Sequence, residues 1–483
     1  MPVEPTQIVV CGAGPAGLTA AYTAVQHDMQ VVVLEKSAHI GGHARTEDYR
    51  GFRLDVGGHR FFTKLPEIES IWHDLMGEDF LKVQRLSRIY YRGRFFYYPL
   101  RFWNVLKGLG IWESTRILGS FLYAQLFPYP EEKSFEQWVC NRFGRRLYRI
   151  FFKTYTEKVW GIACDQIQAQ WAAQRITNLT FWTALKRSLF RNNRNDVKTL
   201  IESFHYPRLG PGQLWHRMAE RIRAWGGEIR LRSEVIRILH DRRRVHAFVV
   251  HTDDRDVEVR GTHYLSSMPL RNLIERLDPS PPEDVLQAAR KIRYRDFLMV
   301  GLIVDRPHLF PDNWIYVHSP NVRVARIQNF KNWSRDMVPD PRKSCLGMEY
   351  FCNIGDDLWQ MDDADLIELA RREIERLGLA RASDVEAGMV IREPYAYPVY
   401  DTEYVAAKAH LKAYLHSFVN LYPIGRNGLH RYDNQDHAML SGILAIRNVL
   451  GERHDLWAIN MEPEYHETVQ ATRVDVSIRE PSS

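Results

Sequence analysis

The chain lacks the cysteine spacing that would hold a disulfide framework or a structural zinc. Its five cysteines, Cys11, Cys140, Cys164, Cys345 and Cys352, are odd in number, scattered over 483 residues and never fall in a CxxC pair. That pattern points to a reducing compartment and to no bound metal. Long hydrophobic runs are missing too. The longest apolar stretch, Ile117 to Pro130 (ILGSFLYAQLFPYP), is too short to span a bilayer. It reads as a buried helix, with a lipid-facing patch as the alternative. The opening MPVEPTQIVV has no basic signal-peptide region and runs straight into a strand pattern, so a cytoplasmic protein is expected. Charge of one sign is scarce. The 65 Lys and Arg face 59 Asp and Glu, and the net +6, read as spread along the chain, predicts no nucleic-acid partner. Low-complexity tracts and internal repeats are absent.

Aromatic residues are plentiful, with 13 Trp, 23 Tyr and 22 Phe. The most specific local signal lies at the start. QIVVCGAGPAGLTAAYTAV is a β-branched run followed by Gly12, Gly14 and Gly17 in GxGxxG spacing and a small-residue helix. The first glycine permits a tight turn, the second lets the backbone approach a pyrophosphate, and the third packs helix on strand. The helix N-terminus then faces the phosphates. The second strand, QVVVLEK, ends at Glu35, eighteen residues after Gly17, where a carboxylate can take both ribose hydroxyls and repel a 2′-phosphate. The following Gly41-Gly42 pair, with Arg45 and Thr46, resembles the extended fingerprint of the large FAD-binding family that includes amine oxidases, and so favours FAD over NAD.

The expected fold class is α/β (α+β overall). A Rossmann-like FAD-binding domain would be discontinuous, formed by residues 1–100, 205–285 and 395–460. Residues 101–204 read as a helical cap and residues 286–394 as an antiparallel substrate sheet, with DFLMVGLIVD and SCLGMEYFCN as strands and DADLIELARREIERLGL as an amphipathic helix. Residues 461–483 read as a polar tail.

With these segments in order, the chain resembles UDP-galactopyranose mutase over nearly its whole length, within the superfamily of amine and protoporphyrinogen oxidases. Five segments carry the resemblance: VGGHRFFT, GRRLYRIFFKTYTEKVWG, VRVARIQNFKNW, YAYPVYD and PIGRNGLHRYDNQD. The resemblance implies isomerisation without net redox change, the N5 atom of reduced FAD attacking the anomeric carbon of a nucleotide sugar. NAD(P)H would be a candidate external reductant, and a homodimer is left open. His59, Arg326, Tyr397 and Tyr432 are then the expected catalytic residues. Tyr155, Trp160 and Arg175 are expected at the substrate, with arginines suited to phosphate through their planar fork. FAD is expected to contact Gly12, Gly14, Pro15, Ala16, Gly17, Glu35, Lys36, Gly42, His43, Arg45, Gly58, His59, Val235, Arg426, Asn434, Gln435 and Asp436. The backbone N–H groups at the mouth of the last helix would stabilise negative charge on reduced flavin.

Departures from the family pattern weaken the substrate assignment. Phe62 stands where the family often has a second histidine, His430 where it has a tyrosine, and Gln435 where it has a methionine. The alternative function is an FAD-dependent oxidoreductase of the amine oxidase or protoporphyrinogen oxidase type, acting on a small or lipophilic substrate. A non-catalytic FAD-binding protein is a third reading.

Overall fold

The computed structural model describes residues 7–98, 100, 102–169, 203–253 and 255–459. The expected substrate arginine Arg175 and the tail 461–483 lie outside the described residues. Five strands form a parallel sheet in the order Leu421–Pro423, His263–Ser266, Gln7–Cys11, Gln30–Leu34 and Glu228–Arg230. Its central strand needs no alternation of apolar and polar residues, because both faces are covered: Ile8, Val9 and Val10 are all fully buried.

Helix Pro15–Gln26 starts with proline at its first turn and is buried from Ala16 to Val25. It packs against helix Gln435–Val449, and glycine makes that approach possible: a Cβ on Gly442 would lie 2.4 Å from the Ala16 carbonyl oxygen. Because the two helices run side by side, both N-termini open on the same edge of the parallel sheet. A meander of Glu234–His240, Val245–His251 and Asp256–Arg260 covers the sheet's flank.

The second large sheet has seven strands, ordered Val385–Pro398, Tyr294–Val304, Ser344–Cys352, Arg326–Asn329, Trp314–Val317, Ser87–Tyr91 and Arg94–Tyr97. The two apolar runs expected as antiparallel strands do pair in that way, from Asp296 opposite Cys352 to Val304 opposite Ser344. Helix Asp363–Arg376 buries Leu366, Ala370 and Ile374 against this sheet. Strands Ser87–Tyr91 and Arg94–Tyr97 belong to this sheet rather than the parallel one.

Against the second sheet packs a helical segment: Phe102–Leu109, Ile111–Leu126, Phe135–Tyr148 and, after a π-helical turn at Arg149–Lys153, Thr154–Trp160. A capping box starts the third helix, with Ser134 Oγ accepting from Gln137 N at 3.3 Å and Gln137 Oε1 accepting from Ser134 N at 3.1 Å. Gly144 kinks it at φ 79°, where a Cβ would lie 2.7 Å from the backbone nitrogen of Phe121. Only glycine lets this helix lie so close to Ile111–Leu126. The buried helix expected at Ile117–Pro130 is buried on one side alone. Ile117, Phe121 and Ala124 face inward, whereas Leu118, Leu122, Tyr123, Leu126 and Phe127 are exposed. Short apolar runs carry no signal for such a two-faced apolar helix, because both faces look like core.

Candidate active site

A cavity of about 590 Å³ runs from the first βα turn to the aromatic end of the seven-stranded sheet. Its near end is a dinucleotide cradle. Gly12 adopts φ 101°, and a Cβ there would meet Ser267 Oγ at 2.1 Å. Gly14 faces Gly42, where a Cβ would lie 3.1 Å from the Gly14 Cα, so two chain segments can flank a narrow ligand. Gly17 does not line the cavity. It packs on the strand, with the Gly12 carbonyl oxygen 1.9 Å from where its Cβ would be. Pro15, Ala16, Glu35, Lys36 and Val235 complete this end. The Glu35 carboxylate is buried and already oriented, accepting from Ala13 N at 2.8 Å and Ser37 N at 2.9 Å.

The middle of the cavity rests on a carboxylate that the sequence did not single out. Glu393 accepts from His43 Nδ1 at 2.8 Å and pairs with Arg45 NH1 at 2.7 Å. Asn427 Nδ2 reaches His43 Nε2 at 3.0 Å, so this imidazole carries its proton on Nδ1 and accepts on Nε2. Burial pushes the Glu393 pKa up, but His43 and Arg45 outweigh it and hold the carboxyl below its ordinary value. Only its place in VIREPYAYP, four residues before Tyr397, hinted at a role.

At the far end, Tyr397 and Tyr432 stack with centroids 5.6 Å apart and rings 21° from parallel. Arg326 donates to the Tyr397 hydroxyl at 2.9 Å and forms an ion pair with fully buried Glu349. Burial works against the Arg326 charge, but Glu349 more than restores it, so the guanidinium stays protonated. The sequence suggests that Gly425 ends a strand and that Arg426 reaches FAD's pyrophosphate or the flavin edge; in the structure Arg426 does not turn toward the glycine-rich turn. Its Nε donates to the Asp433 carbonyl at 2.9 Å and its NH1 to the Ala396 carbonyl at 3.0 Å. Its guanidinium lies 4.9 Å from the Tyr432 ring centroid and 5.6 Å from that of Tyr397. The local geometry explains this: Gly425, at φ 73°, starts a short helical turn instead of ending a strand, and turns Arg426 toward the tyrosines.

His59 lines the cavity beside Gly57 and Gly58, with Nδ1 3.1 Å from the Gly57 carbonyl oxygen. Burial first, then the Arg426 and Arg326 charges, lower its pKa to about 3. It is therefore a neutral imidazole with Nδ1–H given to Gly57 and Nε2 left to accept. Gly58 permits the close packing behind it, since a Cβ would sit 2.7 Å from Gln328 Nε2. Arg60, in the quoted segment VGGHRFFT but not assigned a role there, also lines the cavity, 5.6 Å from the Trp314 ring centroid. Burial and Arg85 lower its pKa to about 10, which keeps it charged at neutral pH.

Tyr155 and Trp160 stand behind this wall. Tyr155 stacks on His318 at 4.8 Å and meets Tyr316 edge-on at 5.6 Å. Trp160 lies 6.4 Å from Tyr397, Tyr400 and Tyr432. The lysine of TYTEKVW serves the fold, since Lys158 Nζ donates to the Ser319 carbonyl at 2.7 Å and the Val324 carbonyl at 3.1 Å, pinning the helix to that loop. His430 is wholly buried beside Tyr294, Tyr400 and Tyr404, away from the cavity wall. Asn434, Gln435 and Asp436 do line the cavity, at the mouth of helix Gln435–Val449.

These residues fit FAD. Two helix N-termini without side-chain caps open on the cavity, and the glycine turn and Glu35 match a pyrophosphate and a ribose. Buried Gln435 Oε1 and Asn427 Oδ1 find no hydrogen-bond partner among the described residues, so polar groups remain for a ligand. No cluster of His, Cys, Asp or Glu suited to a metal occurs among the described residues, and no described helix is long and apolar enough to cross a membrane.

Fold and site together define a dinucleotide-binding flavoprotein with a second, substrate-facing sheet. A family model described as flavin containing amine oxidoreductase matches residues 15–430, and the chain belongs to that family, with FAD as its cofactor. The fold is similar to that of reduced UDP-galactopyranose mutase, with a TM-score of 0.82 and 23% identity over 95% of this chain and 98% of that one. It is also similar to an Exiguobacterium protein described as a protoporphyrinogen oxidase (TM-score 0.71, 17% identity, 92% and 99% covered). By sequence, the chain is 23% identical over 407 residues to the 15-cis-phytoene desaturase of Arabidopsis thaliana, 78% of this chain and 67% of that protein. It thus spans about two thirds of the length of the plant desaturases it matches. An L-amino-acid oxidase of Bungarus fasciatus is 30% identical over 166 residues, 34% of this chain and 28% of that protein.

Proposed function

We propose that this flavoenzyme is a mutase-like isomerase of nucleotide sugars, interconverting ring forms with its flavin reduced. The observation that carries the reading is the cationic far end of the cavity. Arg326 and Arg426 stand against the stacked Tyr397 and Tyr432, and Arg60 lines the same cavity beside Trp314, a setting for a diphosphate. It is a poor one for an amine substrate. At ~4 Å and an effective dielectric of ~20, each unit of like charge costs an ammonium about 4 kcal/mol before counter-charges are included.

FAD, when bound and reduced, would supply the nucleophile. The chain's own residues would do the rest. Arg326 binds phosphate oxygens while orienting the Tyr397 hydroxyl, and Tyr432 presents a second hydroxyl beside it. His59, a neutral imidazole whose pKa is lowered to about 3, is too weak a base to take a sugar hydroxyl proton; its Nε2 would accept a hydrogen bond and orient that hydroxyl. Trp160 backs the tyrosines and excludes water. Similarity to UDP-galactopyranose mutase supports the reading but leaves the nucleotide and the sugar open.

The second reading, an FAD-dependent oxidoreductase for a lipophilic substrate, is favoured by the match to plant phytoene desaturases over 78% of this chain. The test is to isolate the flavin-loaded protein, reduce it with dithionite or NAD(P)H, and assay a panel of nucleotide sugars for ring-size isomers. Isomerisation by the reduced form alone is expected. Turnover by the oxidised form, with no sugar isomerised by the reduced form, would put the oxidoreductase reading in its place.

A further inference from the structure

We infer that the exposed face of helix Ile111–Leu126 docks on the surface of an anionic lipid bilayer. At about 100° per residue, Ile111, Leu118, Leu122 and Leu126 share one ridge, and Trp112 and Tyr123 sit beside it. Ile111, Trp112 and Leu126 are 78%, 77% and 74% exposed, and Phe127 just beyond the helix is 66% exposed. The opposite side is the one that packs inward, through Ile117 and Phe121 onto the kinked helix at Gly144. The helix's one carboxylate, Glu113, is held there by Arg146.

The segment that carries this ridge is basic. Residues 92–153 contain eleven Lys and Arg against four Glu and no Asp, an excess of seven that exceeds the net +6 of the whole chain. The charge is therefore concentrated here and not spread along the sequence. Arg94 caps the preceding helix through the Lys107 and Gly108 carbonyls, Arg116 lies at the edge of the ridge, and Arg145 bonds to Tyr129 just past its end. Trp, Tyr and Phe with a basic rim is the chemistry of a surface lying at the headgroup level, where acyl chains receive the apolar ridge and anionic headgroups receive the arginines. The same charge disfavours a second copy, because a two-fold contact would set each basic rim against itself. Just past the adjoining strand Arg94–Tyr97, Tyr98 lies 5.3 Å from the cavity residue Tyr316, so docking would bring the bilayer to the side of the cavity's outer wall. The inference does not depend on which reaction the cavity performs.

The experiment is flotation of the flavin-loaded full chain with phosphatidylcholine vesicles, with and without phosphatidylglycerol, at low and high salt. The wild type is expected to float with the anionic vesicles at low salt and to be released by high salt. Trp112→Glu with Leu122→Glu, and separately Lys107→Glu with Arg116→Glu, should each lower the bound fraction about tenfold or more. Flavin absorbance and melting temperature monitor folding of both variants. Three results overturn the inference: no flotation of the wild type, flotation untouched by either pair of substitutions, or a soluble dimer that the Glu substitutions dissociate.

Discussion

Arg326 and Glu349 stand directly opposite each other on neighbouring antiparallel strands and form a buried ion pair beneath the cavity. Glu349 also accepts from Gln328 Nε2 at 2.7 Å, and Arg326 reaches the Tyr397 hydroxyl, so one pair links the core of the sheet to the candidate site. This geometry changes what truncation at Arg326 measures. Arg326→Ala leaves a buried carboxylate without its cation, a loss of roughly 3–5 kcal/mol of stability. The double variant Arg326→Met with Glu349→Gln keeps an acceptor for Gln328 and leaves no stranded charge. It should recover most of the melting temperature lost by Arg326→Ala while turnover stays about 10–100-fold down, as expected for loss of charge-assisted phosphate bonds. Thermal melts and steady-state kinetics on all three proteins separate the effects. Recovery of turnover along with stability would remove Arg326 from the chemistry.

The glycine turn makes a second prediction. Gly17→Ala places a Cβ 1.9 Å from the Gly12 carbonyl oxygen, and Gly12→Ala adds a clash with Ser267 to a left-handed φ. Backbone must move in both, so both proteins should purify with little flavin. Gly119→Ala is the control, because nothing lies within 4 Å of its Cβ and alanine favours helix by about 1 kcal/mol. Flavin absorbance per protein is the measurement, and full flavin content in Gly17→Ala would contradict the packing argument.

The nucleotide end was legible in the sequence because its signals are local: GxGxxG, a β-branched strand and an acid at fixed spacing all lie within residues 7–35. The antiparallel strands and the helix Asp363–Arg376 were legible for the same reason, through short-range periodicity. Glu393 was not, since its role exists only when strand Val385–Pro398 comes beside His43 and Arg45, some 350 residues away in the chain. Nor was the turn of Arg426 toward Tyr432, which depends on the left-handed conformation of Gly425. Exposure of the Ile111–Leu126 ridge was hidden because sequence records apolarity but not which of two apolar faces finds a partner.

Asp55 gives a pH prediction. Its carboxyl accepts from Thr46 Oγ1 at 2.8 Å and from the Tyr206 hydroxyl, beside Gly210. Burial outweighs both hydrogen bonds and raises its pKa to about 7. An unfolded aspartate titrates near ~3.9. The stability contributed by this group is therefore fully present below pH ~4 and lost as pH rises through about 7. Asp55→Asn cannot ionise, so its melting temperature relative to wild type should climb steadily across that window. A difference that stays flat with pH would show that Asp55 ionises normally in the folded protein.

Glu393 predicts the opposite slope. Its folded pKa lies below its ordinary value because His43 and Arg45 outweigh burial, so its contribution is present above the unfolded value near ~4.3 and lost as pH falls through the lower folded one. Glu393→Gln keeps the size and an acceptor oxygen but removes the charge that holds both partners. Arg45 then depends on Glu47 Oε1, which its Nε already reaches at 2.6 Å, and His43 loses its strongest orienting contact. The variant should melt lower than wild type at neutral pH, and the gap should narrow as both are acidified below pH ~4.3. The same substitution loosens the segment Gly42–Arg45 that faces Gly14 across the cradle, so flavin should be retained less well at neutral pH. Dialysis at neutral pH followed by flavin absorbance tests this second consequence. Retention equal to wild type, with the acid-dependent gap still present, would confine Glu393 to stability and leave the cofactor to the glycine turn and Glu35.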